Sequence, residues 1–327
     1  MFVLDARPGH VTALAFAPGA DRLYASHGLN RAHVWNLADR TAEPLRVAAL
    51  PRTSSLLRLH PDGRWAFALA QSERGQPFLP HLFDLASGAA WPFNFAVYTP
   101  GGVAVSPDGG RLVSVGNSMY EPVPPGSRPA PHCYRLYAWA VTDGGPERLW
   151  HQDVAHNVTA GAVVALCGDR FATAERVAVT APTVHQWRVQ VAVRSTADGA
   201  ALAALDFPHP FLQQLLASPD GTKLVARCGT ELRVWDATNW GLQPRVTEGR
   251  YKAEMDPPAA CFTPSGDYLL LANGATSVLA YDTRTWQVVR KWNWRGGALR
   301  VAAVSPDGTL AAGGGPRGDV VVWDLDL

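Results

Sequence analysis

The sequence predicts an all-β fold of seven small antiparallel sheets. Three observations predict it. One unit recurs along the chain: an apolar strand, a tight turn, a second strand, a loop and a third strand. No long helical periodicity separates the strands, which excludes a βαβ architecture. The unit stands in its plainest form at the C-terminal end, where Leu299 to Leu325 reads LRVAAVSPDGTLAAGGGPRGDVVVWDL.

Turn signals mark the repeats in order. They are APGAD from Ala17, HPDG from His60, SPDG from Ser106, a worn CGDR from Cys167, SPDG from Ser218, TPSG from Thr263 and SPDG from Ser305. With Pro18, Pro61, Pro107, Cys167, Pro219, Pro264 and Pro306 as markers, the spacings are 43, 46, 60, 52, 45 and 42 residues. Proline presets φ for the first turn position, and Asp-Gly supplies the side-chain bond and the positive φ of a tight hairpin. Each turn leads to a strand closing on an aromatic–polar pair or its remnant. The pairs are Trp35-Asn36, Phe83-Asp84, Trp139-Ala140, Arg194-Ser195, Trp235-Asp236, Tyr281-Asp282 and Trp323-Asp324. A further turn (LASG, ATNWG, TRTWQ) and a fourth short strand follow most of them. Four short strands per period of about 40–45 residues is the signature of a β-propeller blade.

At this point the chain resembles the WD-repeat β-propeller family. The terminal Trp-Asp stands in full at Trp235-Asp236 and Trp323-Asp324, and the family's Gly-His dipeptide at Gly9-His10. The resemblance covers nearly the whole chain and implies one seven-bladed propeller over residues 1–327. Most blades lack Gly-His and the buried Asp–His–Ser/Thr–Trp network with which the family braces a blade, so bracing by apolar packing is expected. The last blade stops after its third strand, Val320–Asp324. The apolar run Phe2-Val3-Leu4 is expected to supply its outer strand and close the ring, because an open edge invites aggregation.

Composition narrows the function classes. Apolar residues make up 47% and charged residues 17% of 327, which suits a large core and not disorder. The net charge of +1 gives no global field for nucleic acid or an anionic membrane, and neither is expected as a partner. The four cysteines, Cys133, Cys167, Cys228 and Cys261, form no CxxC pair, which argues against zinc and against a disulfide scaffold. The N-terminus has no signal-peptide pattern, and no apolar run approaches the ~18 residues of a membrane span. A cytoplasmic monomer is expected.

No cofactor or metal is expected either. Gly313, Gly315 and Gly318 formally satisfy GxGxxG, but a strand follows them where a dinucleotide site needs a helix. Of the ten histidines, only His151 and His156, with Asp153 between them, approach a cluster. The first strands of the repeats (VTALAFA, SSLLRLH, GVAVS, AVVAL, LQQLLAS, AACFT, RVAAVS) are apolar save for Arg58, Arg300, Gln213 and Gln214. Arginine is always protonated and does no acid–base work alone near neutral pH. The chain is therefore expected not to be an enzyme.

The family geometry implies that second-to-third loops and blade connections share one face, the top. From turn marker to closing residue the distances are 17, 22, 32, 27, 16, 17 and 17, so blades 2, 3 and 4 carry insertions. These are Gln71–Pro80, Asn117–Cys133 and about Arg176–Arg188, read here as loops. The blade 3 insertion holds Pro122, Pro124, Pro125, Pro129 and Pro131, a polyproline-II-forming run that is a stiff cover or a ligand for an aromatic groove. Blade connections on the same face add PFNFAVY (Pro92–Tyr98) and FPHPF (Phe207–Phe211). Aromatics and arginine are typical interface anchors. The candidates for contact with a protein or peptide are Phe78, Met119, Tyr120, Arg128, Tyr134, Trp187, Tyr251, Trp294 and Arg295. The bland alternative is that such aromatics are buried plugs. The alternative function is a small-molecule or enzymatic propeller with Arg58 and Arg300 holding an anion at the channel mouth.

Overall fold

A computed structural model describes residues 1–4, 9–27, 31–44, 54–59, 65–70, 79–84, 89–93, 103–106, 109–117, 134–154, 164–167, 169–181, 184–207, 209, 212–228, 231–242, 246–247, 260–273, 277–293 and 297–327. Among these residues there is no helix, and none therefore that is long and apolar enough to cross a membrane. Seven four-stranded antiparallel sheets form the blades of a seven-bladed β-propeller.

The strands follow the predicted order. Sheet 1 is β2 (Val11–Phe16), β3 (Arg22–His27), β4 (Arg31–Asn36) and β5 (Ala42–Pro44). Sheet 2 is β6 (Ser54–Leu59), β7 (Trp65–Ala70), β8 (Leu79–Asp84) and β9 (Ala90–Pro92). Sheet 3 is β10 (Val103–Val105), β11 (Arg111–Asn117), β12 (Tyr134–Thr142) and β13 (Gly145–Val154). Sheet 4 is β14 (Val164–Cys167), β15 (Arg170–Ala181), β16 (Val184–Ser195) and β17 (Ala201–Phe207). Sheet 5 is β18 (Gln214–Ala217), β19 (Lys223–Cys228), β20 (Glu231–Asp236) and β21 (Val246–Thr247). Sheet 6 is β22 (Ala260–Phe262), β23 (Tyr268–Asn273), β24 (Ser277–Asp282) and β25 (Val288–Asn293). Sheet 7 joins the two ends of the chain: β26 (Val301–Val304), β27 (Leu310–Gly314), β28 (Val320–Asp324) and β1 (Phe2–Leu4). The expected closing strand is there, with Phe2, Val3 and Leu4 opposite Val322, Val321 and Val320.

The repeated turn shows why Ser or Thr precedes its proline. The hydroxyls of Ser106, Ser218, Thr263 and Ser305 each accept the backbone N–H that opens the next strand, at 2.9, 2.9, 3.1 and 2.9 Å. All four hydroxyl-bearing residues are buried, and each bond pairs a buried hydroxyl with a backbone amide. Asp220 and Asp307 each accept from the turn hydroxyl and from the amide two residues on. Their carboxyls lie below the usual range. At Asp307 the Ser305 hydroxyl is the main cause. At Asp220 the raising effect of burial is outweighed by Ser218 and Thr222.

Chain contacts divide the molecule into two compact units. In the first, residues 1–74, 81–90 and 250–327, β22, β26, β2 and β6 neighbour one another in that order. One core here joins Leu4 to Val11, Phe16, Leu23, Trp35, Ala312, Val320 and Val322. Another joins Leu270, Val278 and Ala280 to Leu299, Val321 and Trp323. In the second unit, residues 75–80 and 91–249, β10 neighbours β14 and β14 neighbours β18. Its largest core runs from Val189, Val191, Val193, Leu205 and Phe207 to Leu215, Leu224, Ala226 and Trp235.

The glycines of the GxGxxG match serve close packing. A Cβ on Gly313 would stand 2.8 Å from Leu299 Cδ1, and one on Gly315 2.9 Å from the Ala298 carbonyl oxygen. The Gly315 carbonyl accepts the Val11 N–H at 3.0 Å, tying sheet 7 to sheet 1 through backbone.

Bracing is mixed rather than purely apolar. In sheet 3, Trp139 Nε1 donates to Ser114 Oγ at 3.3 Å. The equivalent register position is Ala25 in sheet 1, Ala226 in sheet 5 and Gly313 in sheet 7. Trp35 and Trp323 accordingly hold buried indole N–H groups with no acceptor among the described residues. Sheet 4 uses a different device. Arg194 occupies the closing-aromatic position, and its guanidinium donates to buried Glu175 at 2.7 Å and to the Gly199 carbonyl at 3.2 Å. Thr173 completes the network on Glu175 at 2.9 Å.

Candidate functional site

The structure rewrites the blade 4 insertion. Spacing alone reads Arg176–Arg188 as a loop. The chain there continues as strand on both sides of residues 182–183, and β15 and β16 pair without interruption from Arg170↔Ser195 to Ala181↔Val184. The reason is local. Val177 and Val179 on the outgoing segment, and Val189, Val191 and Val193 on the returning one, recur at period 2, a strand pattern. Among the described residues β14 pairs as far as Val164↔Thr173, and β17 as far as Val189↔Phe207. Among the described residues a two-stranded ribbon, β15 with β16, runs on from sheet 4 at the end where second and third strands meet.

Trp187 sits on this ribbon, opposite Ala178. At the ribbon's base Arg188 pairs with Asp206 at 3.3 Å. The neighbouring sheet 3 brings Tyr134 to the equivalent end as the first residue of β12, opposite Asn117 and Val154. Arg135 beside it donates to Asp153 at 2.5 Å. Thus Tyr134 and Trp187 stand at the same end of neighbouring sheets in the second unit. Phe78, Met119, Tyr120, Arg128, Tyr251, Trp294 and Arg295 lie outside the described residues, as does the proline run Pro122–Pro131.

Two connecting aromatics are core. Phe93, from PFNF, is 3% exposed and meets Trp139 edge-on at 4.7 Å between ring centres. Phe207, from FPHPF, is fully buried in the sheet 4–5 core. The bland reading holds for these two.

Sequence reading missed a polar cluster at the same end of sheet 5. Glu231, 4% exposed, accepts from Arg233 Nε at 3.0 Å and lies 2.9 Å from His209 Nε2. Its one signal is the Glu231–Arg233 pair, two residues apart at the start of the strand ELRVWD. Burial, with Glu231 nearby, pushes the Cys228 thiol up to about 11, and burial pushes that of Cys261 up to about 12. Both are protonated and poor nucleophiles near neutral pH. Among the described residues no group of three or more His, Cys, Asp or Glu side chains is placed to hold a metal ion.

The two arginines of the alternative reading lie in the first unit. Arg58 is on β6 opposite Phe67, and Arg300 precedes β26, its backbone N–H bonded to Gly314 at 2.8 Å.

No protein-family model matches the chain, and no curated protein matches it. The fold defines its class, a seven-bladed β-propeller.

Proposed function

We propose that the chain is a WD-repeat-type propeller acting as a non-catalytic scaffold, with a protein or peptide bound at the end of the blades where second and third strands meet. The observation that carries this reading is the sheet 4 ribbon. A scaffold site needs side chains presented in a fixed geometry, and a continuously paired hairpin holds Trp187 with less conformational freedom than an irregular loop would. Tyr134 at the same end of the neighbouring sheet widens the surface. Fold likeness supports an interaction role only by analogy, so the site has to carry the claim.

The test replaces residues 177–188 with a two-residue Asn-Gly turn, joining Arg176 to Val189, which already pair. The shortened protein is expected to keep its melting temperature and to lose the proteins that the full chain captures from a native lysate. The combined Tyr120, Trp187 and Trp294 alanine variant is expected to behave alike. An unchanged set of captured proteins refutes the surface assignment.

A further inference from the structure

A cleft of about 480 Å³ lies between sheets 6 and 7, at the end where first and second strands meet. Both sheets belong to the first unit. The volume falls within the roughly 300–1,000 Å³ of small-molecule sites. Two repeated turns form the walls, with Pro264 and Tyr268 from sheet 6 and Pro306 and Asp307 from sheet 7. Leu325 and Leu327 also line it. Leu325 is buried in one core with Trp323, and its N–H donates to the Thr309 carbonyl at 2.7 Å. The lining thus sets prolines, an aromatic ring and leucines beside one acidic side chain.

That carboxylate differs from its counterparts. The described first turns carry Asp21, Asp169, Asp220, Asp267 and Asp307. Four of these have a cation from their own chain. Arg22 lies 3.8 Å from Asp21, Arg170 3.6 Å from Asp169 and Arg284 3.0 Å from Asp267, and Lys223 acts electrostatically on Asp220. Asp307 forms no ion pair among the described residues. The reason is local. Five residues after the turn's buried serine stand Arg111 in sheet 3 and Lys223 in sheet 5, but Leu310 in sheet 7. Asp307 is ionised all the same, because the Ser305 hydroxyl and then the Thr309 amide hold its carboxyl below the usual range. Its Oδ1 accepts from Ser305 and from the Thr309 amide, and its Oδ2 from the Thr309 hydroxyl. A carboxylate offers about four acceptor sites, so Oδ2 has room for one more donor.

We propose that this cleft binds an alkylguanidinium, with its charge at Asp307 and its stem along the prolines and leucines. The charge supplies the cation that the other turn carboxylates find within the chain. A guanidinium suits the walls better than an ammonium. It is planar, more weakly hydrated and able to stack on a ring such as that of Tyr268, whereas an ammonium gives up a strongly held water shell. The alkyl stem covers apolar surface while the charged head stays at the carboxylate. The cleft stands at the opposite end of the blades from the sheet 4 ribbon, so the proposal is independent of the ribbon's partner.

The test is calorimetric titration of the full chain with butylguanidinium and, separately, with N-acetyl-arginine methylamide, up to about 20 mM to span a millimolar affinity. Butylurea, neutral and of the same shape, is the reference. The expected result is saturable binding of a guanidinium, with butylurea at least about tenfold weaker. Either source supports the proposal: tighter binding of the arginine derivative marks a peptide's arginine as the ligand, and tighter binding of butylguanidinium a small free guanidine. Asp307→Asn keeps an oxygen for Ser305 and Thr309 but removes the charge, and should weaken binding about tenfold with an unchanged melt. Asp220→Asn, in the turn that has its own lysine, is the control and should leave binding unchanged. Amide NMR of the unmodified protein needs no variant: the shifts on titration should centre on Gly308 and Leu325. No saturable binding of either guanidinium, equal binding of butylurea, full affinity in Asp307→Asn, or shifts centred away from the cleft overturns the proposal.

Discussion

Leu4→Ala isolates the closing strand. Leu4 is 1% exposed and sits in one core with Val11, Leu23, Trp35, Val320 and Val322, whereas its neighbour Val3 is 52% exposed. Both residues belong to the same three-residue strand and pair with β28 in the same ladder. Truncating a buried leucine removes its transfer energy and leaves a cavity, together about 3 kcal/mol. Truncating exposed Val3 should stay within about 0.5 kcal/mol. In a chain of 327 residues, a loss of 3 kcal/mol corresponds to a melting shift of about 4 °C. The assay is paired thermal and urea denaturation of the unmodified protein, Leu4→Ala and Val3→Ala. Equal melts for both variants would refute the claim that the N-terminal strand is a packed member of sheet 7. Removing residues 1–7 is the harsher version. It uncovers the β28 edge and should cost at least as much as Leu4→Ala.

Two further outcomes test the bracing. Arg194→Met leaves the Glu175 carboxylate buried without its guanidinium and should cost about 3–5 kcal/mol, while Arg194→Met with Glu175→Met should recover most of the loss. A cost no larger than that of a surface substitution, read by urea denaturation, would show that the pair does not hold sheet 4. Ala25→Ser places a hydroxyl where Ser114 stands in sheet 3, giving the Trp35 indole N–H an acceptor. It should stabilise by about 1 kcal/mol, and a lower denaturation midpoint would mean that the two positions are not equivalent.

The repeat was legible because its turn is written in residues with one local job each. Ser or Thr receives an amide, proline fixes φ and glycine takes the positive φ, seen at Gly109, Gly221, Gly266 and Gly308. None of these needs a distant partner, so sequence alone places them. The closing strand was legible for a related reason. A third strand ending the last repeat needs a neighbour, and Phe2-Val3-Leu4 was the apolar run left over. The candidate site was less legible. Length showed that sheet 4 carries extra residues, but spacing does not distinguish a loop from a ribbon. That is decided by whether two segments pair, and the spacing of Val177 and Val179, and of Val189, Val191 and Val193, is the part of the signal that was available.

The sequence by itself determined the class of fold, the number of blades and the way the chain's ends meet, because these follow from local turn chemistry repeated at a fixed period. Only the tertiary structure decided which aromatics are core, since burial of Phe93 against Trp139 or of Phe207 in the sheet 4–5 core depends on what the fold brings beside them. It also decided that Arg194 stands in for a tryptophan. A guanidinium is tolerated there because Glu175, nineteen positions away in sequence, lies 2.7 Å from it in space. Contacts of that kind have no signature in spacing. They arise from register, and register is a property of two strands at once.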